Sequence, residues 1–96
     1  MNPCSAIIVL CSAPDKATAT ALARLAIRRK LAACVNLLPG VTSMYTWQDQ
    51  LECSEDVQLI FKSDTEHQQD LLSLLKQAHP YDVPELLVIP VQHGDS

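Results

Sequence analysis

Glycine, aromatic residues and basic charge are all scarce in this 96-residue sequence. It contains two glycines, 4% aromatic residues, and seven Lys and Arg against eleven Asp and Glu, which gives a formal net charge of -4. The sequence therefore has no Gly-rich phosphate-binding motif. Its shortage of basic residues argues against nucleic-acid binding, which depends on clustered Lys and Arg. The one basic cluster falls at the predicted end of a helix, where cations favour the helix dipole: Arg24, Arg28, Arg29 and Lys30.

Long hydrophobic runs and paired cysteine motifs are also missing. No apolar stretch approaches the length of a membrane span, and the run at residues 6–10 is too short for the core of a signal peptide. The four cysteines, at positions 4, 11, 34 and 53, form no C-x-x-C pair. Cys11 and Cys34 stand in apolar, strand-like runs, so we expect both to be buried. The sequence thus predicts a cytoplasmic protein with no membrane partner and no disulfide framework.

Short strand-like and helical segments are what the sequence does contain. Residues 5–12 are rich in Ile and Val, as in a strand covered on both faces. Asp15 is a good N-cap for a helix over residues 16–30. The buried face of that helix is predicted to hold Thr18, Ala21, Leu22, Leu25 and Ala26.

A long hairpin is predicted next. Residues 31–47 have the pattern of one strand with a bend or bulge at Pro39-Gly40. Gln48-Asp49-Gln50 supplies a polar turn, and residues 53–62 alternate as the returning strand.

The last third predicts a second helix and a final strand. Thr65-Glu66-His67-Gln68 has the pattern of a capping box with Thr65 as the N-cap, and Pro80 ends the helix. Its buried face is predicted to be Leu71, Leu74, Leu75 and Ala78. Residues 86–91 form the last strand, where Pro90 suits an edge position.

The order β-α-β-β-α-β is that of a ferredoxin-like α+β sandwich, here with an unusually long central hairpin. Right-handed crossovers place the first and third strands at the centre, the fourth beside the first, and the second at the far edge. We expect residues 1–96 to form a single domain.

Four segments in this order resemble the CutA family. They are residues 9–15, residues 31–36 with Pro39-Gly40, residues 43–47, and residues 79–86 leading to His93-Gly94-Asp95. The resemblance implies a homotrimer whose long hairpins reach around neighbouring subunits, and a role in tolerance of copper and other divalent cations. It also implies likeness in fold and assembly to PII signalling proteins, which bind small molecules between subunits.

The sequence departs from the family pattern at three places. Ala78 stands where family members commonly have a second histidine before the Pro-Tyr pair, and Gln48-Asp49-Gln50 replaces a turn that often contains glycine. The family continues beyond His-Gly-Asp with an aromatic segment and a helix, so we expect this segment to be absent after Ser96.

One candidate metal site follows from the topology. Cys11 ends the first strand, His79 ends the second helix and Glu85 begins the last strand, so the three converge at one end of the sheet. Thiolate, imidazole and carboxylate suit a borderline metal, the thiolate favouring Cu(I) or Zn(II), and the resemblance places the family's proposed copper ligands at Cys11 and His79. The structural alternatives are a thiol that fills apolar space and a histidine that closes a helix end.

Other side chains have separate expectations. Tyr45 and Trp47 lie on one face of the hairpin, which cannot fold stably alone with such side chains in water. We therefore predict that they pack on a neighbouring subunit. His67 is expected to be solvated, and His93 is a candidate ligand contact.

Three functions are compatible with these observations. The first is a trimeric protein that binds copper or another divalent cation without turnover, and the second is a PII-like module that binds a small metabolite between subunits. The third is an enzyme with Cys11 as nucleophile and His79 as base. Because no oxyanion device or third orienting residue can be identified, the sequence predicts that the protein is not an enzyme.

Overall fold

The computed structural model describes residues 5–81 and 84–94, so Cys4, Asp82 and Asp95 lie outside the described residues. The elements follow the predicted order: β1 (Ala6–Ala13), α1 (Lys16–Arg28), β2 (Cys34–Trp47), β3 (Gln50–Asp64), α2 (Gln68–Ala78) and β4 (Leu86–Pro90). All strand pairs are antiparallel, and the order across the sheet is β2-β3-β1-β4. The ferredoxin-like fold and the position of each strand are thus confirmed.

The two faces of the sheet have different surroundings because side chains alternate along each strand. The face toward α1 and α2, here the helix face, carries Val9, Leu59 and Phe61, all fully buried. The opposite face, here the open face, carries Ile8, Leu10, Ile60, Leu87 and Ile89. Leu87 is 49% exposed and Ile89 is 44% exposed. Within residues 5–81 and 84–94, both helices pack on the helix face, so this second apolar face is left uncovered.

Helix α1 begins where the sequence predicts but is rotated from the predicted orientation. An Asp15 carboxylate oxygen accepts a hydrogen bond from the Thr18 amide at 2.7 Å, and this bond lowers the pKa of Asp15. The face toward the sheet is richer in alanine than predicted: Ala19, Leu22, Ala23 and Ala26 are buried. Thr18 and Leu25 are half-buried and Ala21 is exposed, because they border a groove between α1 and the end of α2.

A long two-stranded arm, defined here as residues 41–56, projects from the domain. β1 pairs only with residues 57–64 of β3, so the rest of the hairpin extends beyond the sheet. The chain measures 51 Å along its longest axis, and its radius of gyration is 14.3 Å, against about 12.5 Å for a compact domain of this length. The predicted bulge is confirmed by the register shift between Leu38 and Val41, where Gly40 has φ +71°.

The arm turns at two residues in the left-handed region of backbone space. Gln48 has φ 51° and Asp49 has φ 63°, the combination that a two-residue type I′ hairpin turn requires. Because neither residue is glycine, the left-handed conformation costs about 1–2 kcal/mol of conformational free energy at each position. This strain at the tip is tolerated because the strands on either side are paired throughout from Val41 to Asp56.

The start of α2 and one position on its buried face differ from the prediction. The capping box does not form: Thr65 Oγ1 accepts a hydrogen bond from the Ser5 amide at 3.2 Å, while Asp64 Oδ1 accepts one from the His67 amide at 3.0 Å. The carboxylate at the end of β3 thus accepts from the His67 amide, in place of the predicted hydrogen bond from the Gln68 amide to the Thr65 hydroxyl. Leu71, Leu74 and Leu75 are buried as expected, whereas Ala78 is exposed.

The prediction that Cys34 is buried is wrong. The register places it opposite Lys62 on the open face at the start of β2, where it is exposed. Cys11 is buried as expected, and Cys53 is exposed on the arm. Within the described residues, no helix is long and apolar enough to cross a membrane.

Candidate functional site

The end of the sheet where β1 and α2 finish and β4 begins brings the three predicted metal ligands into one region. Cys11 pairs with Leu86 in the β1–β4 ladder, and Glu85 directly precedes Leu86. His79 follows the last residue of α2 and reaches the same strand end, because its ring contacts Ser12.

His79 is buried, at 6% exposure, and both of its ring nitrogens are occupied. Nε2 lies 2.7 Å from the Ser12 carbonyl oxygen, and Nδ1 accepts a hydrogen bond from the Tyr81 amide at 3.1 Å. A carbonyl only accepts and an amide N–H only donates, so the partners assign the proton to Nε2. The imidazole therefore joins the end of α2 to β1 and holds the turn that follows, which is a structural role.

Cys11 is also buried, at 2% exposure, and its side chain lies on the helix face. Burial raises the pKa of the Cys11 thiol to about 11, so the sulfur is protonated at neutral pH. The Sγ atom lies 3.7 Å from the Ser12 carbonyl oxygen, to which the thiol donates a weak hydrogen bond.

Glu85 lies on the other side of the sheet. Leu86 and Val88 pack on the core while Leu87 and Ile89 are exposed, and this alternation places Glu85 with Leu87 on the open face. A small cavity of about 60 Å³ agrees with this placement, since Glu85 borders it together with Leu10, Ser12, Gln58 and Leu87 of the open face, and with Cys11. The predicted ligands thus share an end of the sheet, but the sheet separates Glu85 from the Cys11 thiol.

Oxygen and amide groups surround this cavity on the open face. Ser12 Oγ donates a hydrogen bond to Gln58 Oε1 at 3.4 Å, and Gln58 Nε2 donates to the Cys11 carbonyl at 3.3 Å. Ser12 and Gln58 were not identified from the sequence. The signal that could have identified them is the pairing register, which sets Ser12 opposite Gln58.

The arm carries exposed apolar side chains on both of its faces. Tyr45 is 47% exposed and Trp47 is 63% exposed, and their spacing puts them on one face as predicted. Met44 and Leu51, at 66% and 70% exposure, lie on the opposite face. A two-stranded arm on its own cannot bury the apolar side chains of both faces, so they stay exposed to water in the single chain.

Comparison with known proteins identifies the family. Residues 7–96 match the family model described as CutA1 divalent ion tolerance protein. The chain belongs to the CutA1 family. The Divalent-cation tolerance protein CutA of Pectobacterium atrosepticum is 57% identical over 93 residues, which cover 97% of this chain and 84% of the relative.

Solved CutA structures share the fold. CutA1 from Oryza sativa superposes with a TM-score of 0.91 at 35% identity, covering 96% of this chain and 84% of that one. A CutA from Archaeoglobus fulgidus, described as a periplasmic divalent cation tolerance protein, gives a TM-score of 0.86 at 28% identity, over 93% of this chain and 86% of that one.

A second set of potential ligands lies at the opposite end of the CutA1 sheet. Asp64, Glu66 and His67 are, among residues 5–81 and 84–94, the one group of three His, Cys, Asp or Glu residues whose ligand atoms lie within 4.8 Å of one another. His67 Nδ1 is 2.8 Å from Asp64 Oδ1. Burial is the largest single influence on the pKa of Asp64 and raises it, but the hydrogen bonds from the His67 ring and amide and the charge attraction of His67 together outweigh burial, so the pKa is lowered. His67 is therefore hydrogen-bonded and not simply solvated, while His93 is exposed and its role as a ligand contact stays a prediction.

The buried Cys11 thiol gives a testable pH dependence. Its pKa is raised from 9.0 to about 11, so the unfolded chain releases this proton at lower pH than the folded chain does. The resulting stability is fully present below pH 9 and is lost as the pH rises toward about 11, a loss on the order of 2 kcal/mol in the free energy of unfolding. Urea unfolding of the wild type and Cys11→Ala across this range measures it. Parallel pH profiles for the two proteins would contradict the assignment.

Proposed function

We propose that this CutA1 chain acts as a cytoplasmic homotrimer that binds copper and other divalent cations and thereby confers tolerance of them, without catalysing a reaction. The observation that carries the proposal is the uncovered apolar open face of the sheet, with Glu85 beside a cavity at its end. Self-association through this face buries the apolar side chains and sets the cavity at a boundary between subunits.

The argument for a homotrimer rests on two apolar surfaces that one subunit leaves in water. The open face exposes Leu87 and Ile89, and the arm exposes Tyr45 and Trp47. Complete burial of a fully exposed Leu or Ile gains about 1.5–3 kcal/mol, and these partly covered side chains gain a share of that. β2 and β4 are also edge strands, and a neighbour's strand can pair with such an edge. Two further copies of the chain would cover these apolar side chains and pair with the edge strands.

The argument for divalent cations rests on the donors at the end of the open face. Glu85, Gln58 and Ser12 border one cavity, and carboxylate and amide oxygens are ligands that divalent cations accept. Cys11 and His79 are retained as proposed copper ligands on the helix face. Copper binding there would displace the thiol proton and break the hydrogen bond between His79 and Ser12.

Two further observations support a binding function without catalysis and a cytoplasmic location. His79 Nδ1 accepts from the Tyr81 amide, so this histidine is not positioned as a base for the Cys11 thiol, which supports a binding function over catalysis. Cys34 and Cys53 are exposed free thiols, a state that a reducing compartment such as the cytoplasm maintains.

Calorimetric titration with Cu(II) and Zn(II) tests the proposed site. Glu85→Gln is expected to weaken binding by at least about tenfold, because even outer partners of metal ligands contribute about 10- to 100-fold to affinity. Cys11→Ser and His79→Ala are expected to weaken Cu(II) more than Zn(II). Glu52→Gln, which removes the same charge from an exposed position on the arm, is the matched control. Equal affinities for Glu85→Gln and Glu52→Gln would refute the assignment of Glu85.

A further inference from the structure

The arm places a thioether and a thiol directly opposite each other. Met44 of β2 pairs with Cys53 of β3 in the hairpin register. Directly opposed residues of an antiparallel pair have Cβ atoms about 4.5–5.5 Å apart and side chains on the same face. Met44 is 66% exposed, and Cys53 is an exposed free cysteine. The backbone pairing therefore places two sulfur-bearing side chains next to each other on one exposed face of the arm.

This pair has the chemistry of a site for a soft monovalent metal. Thiolate and thioether ligands select Cu(I) over the harder divalent ions. We propose that Met44 and Cys53 together bind Cu(I), at a site separate from those proposed at Glu85 and at Cys11 with His79. The Cys53 thiol releases its proton and the Met44 thioether donates a lone pair. Because the metal arrives as Cu(I), no electron is transferred.

The surroundings of the pair suit this role. Along the same face, the neighbouring opposed pairs are Thr46 with Leu51 and Thr42 with Glu55, so no cationic side chain stands next to the sulfurs on that face. Tyr45 and Trp47 lie on the opposite face of the ribbon. A subunit contact made through those aromatic rings does not itself cover the two sulfurs.

Cys34 provides an internal comparison. It is also exposed and also lies in the β2–β3 ladder, but its opposed residue is Lys62. A neighbouring ammonium group repels a metal cation and supplies no sulfur. The two exposed cysteines thus differ mainly in whether a thioether faces them.

Anaerobic competition for Cu(I) against a chromophoric chelator tests the pair. The starting protein carries Cys4→Ser, Cys11→Ser and Cys34→Ser, which removes the copper ligand proposed at Cys11 and leaves Cys53 as the remaining thiol. Adding Met44→Leu is expected to raise the Kd for Cu(I) by at least about tenfold, since loss of a direct ligand should exceed the effect of losing an outer partner. A matched protein with Cys4→Ser, Cys11→Ser and Cys53→Ser, which retains Cys34 opposite Lys62, is expected to bind as weakly as the Met44→Leu protein.

X-ray absorption at the copper edge gives a second readout. The starting protein should show two sulfur neighbours per Cu(I), and the Met44→Leu protein should show one. An unchanged Kd in Met44→Leu overturns the proposal, as does equal binding through Cys34. Neither result depends on Glu85, on Cys11 or on divalent-cation affinity, so this inference and the proposed function fail separately.

Discussion

Leu87→Asp is expected to convert the proposed trimer into a folded monomer. Leu87 is 49% exposed on the open face of a single subunit, so an aspartate there remains hydrated in the monomer. In an assembled open face the same carboxylate would be buried without a partner. Its desolvation costs several kcal/mol per subunit, and the burial of a leucine is lost as well. Sedimentation at micromolar protein should show the smaller species, with the helical circular dichroism of the wild type.

Two control substitutions distinguish a specific loss of assembly from a loss of folding. Leu87→Met keeps the volume and apolar character of the side chain and should leave assembly intact. Ser73→Asp adds the same charge to an exposed position on α2 and should also leave it intact. A Leu87→Asp protein that sediments like the wild type would remove the open face from the interface. Tyr45→Ala and Trp47→Ala should lower the assembly state as well, but by less, because neither change introduces a buried charge.

The fold could be predicted because its signals are local. The apolar runs, the helical periodicity and the break at Pro39-Gly40 each depend on neighbouring residues, and chirality rules then order the strands. The same local reasoning failed for Cys34, which stands in an apolar run but faces the uncovered side of the sheet. Burial of an alternating strand depends on which face another element covers, and that is a property of the whole assembly.

The candidate site could be predicted only in part, for a related reason. Strand order and direction bring Cys11, His79 and Glu85 to one end of the sheet, and the structure places them there. The face that each side chain occupies depends on the pairing register, since a one-residue difference moves a side chain to the other side. Because Leu86 is the partner of Cys11, Glu85 lies with Ser12 and Gln58 and not with the thiol. The hydrogen bond between His79 and Ser12 is likewise invisible in the sequence, since the two residues are 67 positions apart.

His79→Ala is expected to destabilise the protein by roughly 2–4 kcal/mol. The substitution leaves the Ser12 carbonyl and the Tyr81 amide without their hydrogen-bond partner. It also removes a buried ring whose centroid lies 4.7 Å from the centroid of the Tyr81 ring. A loss of this size is a large fraction of the 5–15 kcal/mol typical of small domains. His79→Gln, which can still place a donor near the Ser12 carbonyl, should recover part of it. Urea unfolding without metal measures all three proteins.

Repeating the unfolding with saturating Cu(II) shows whether the same histidine is also a ligand. A ligand that binds only the folded state stabilises it in proportion to the logarithm of its concentration over Kd. If His79 binds copper, Cu(II) should raise the midpoint of the wild type more than that of His79→Gln, which widens the gap between them. If the gap is the same with and without Cu(II), the imidazole acts only as the hydrogen-bonded link between α2 and β1. Copper binding by this CutA1 chain then has to be carried by residues that keep their lone pairs free, of which Glu85 on the open face is the first.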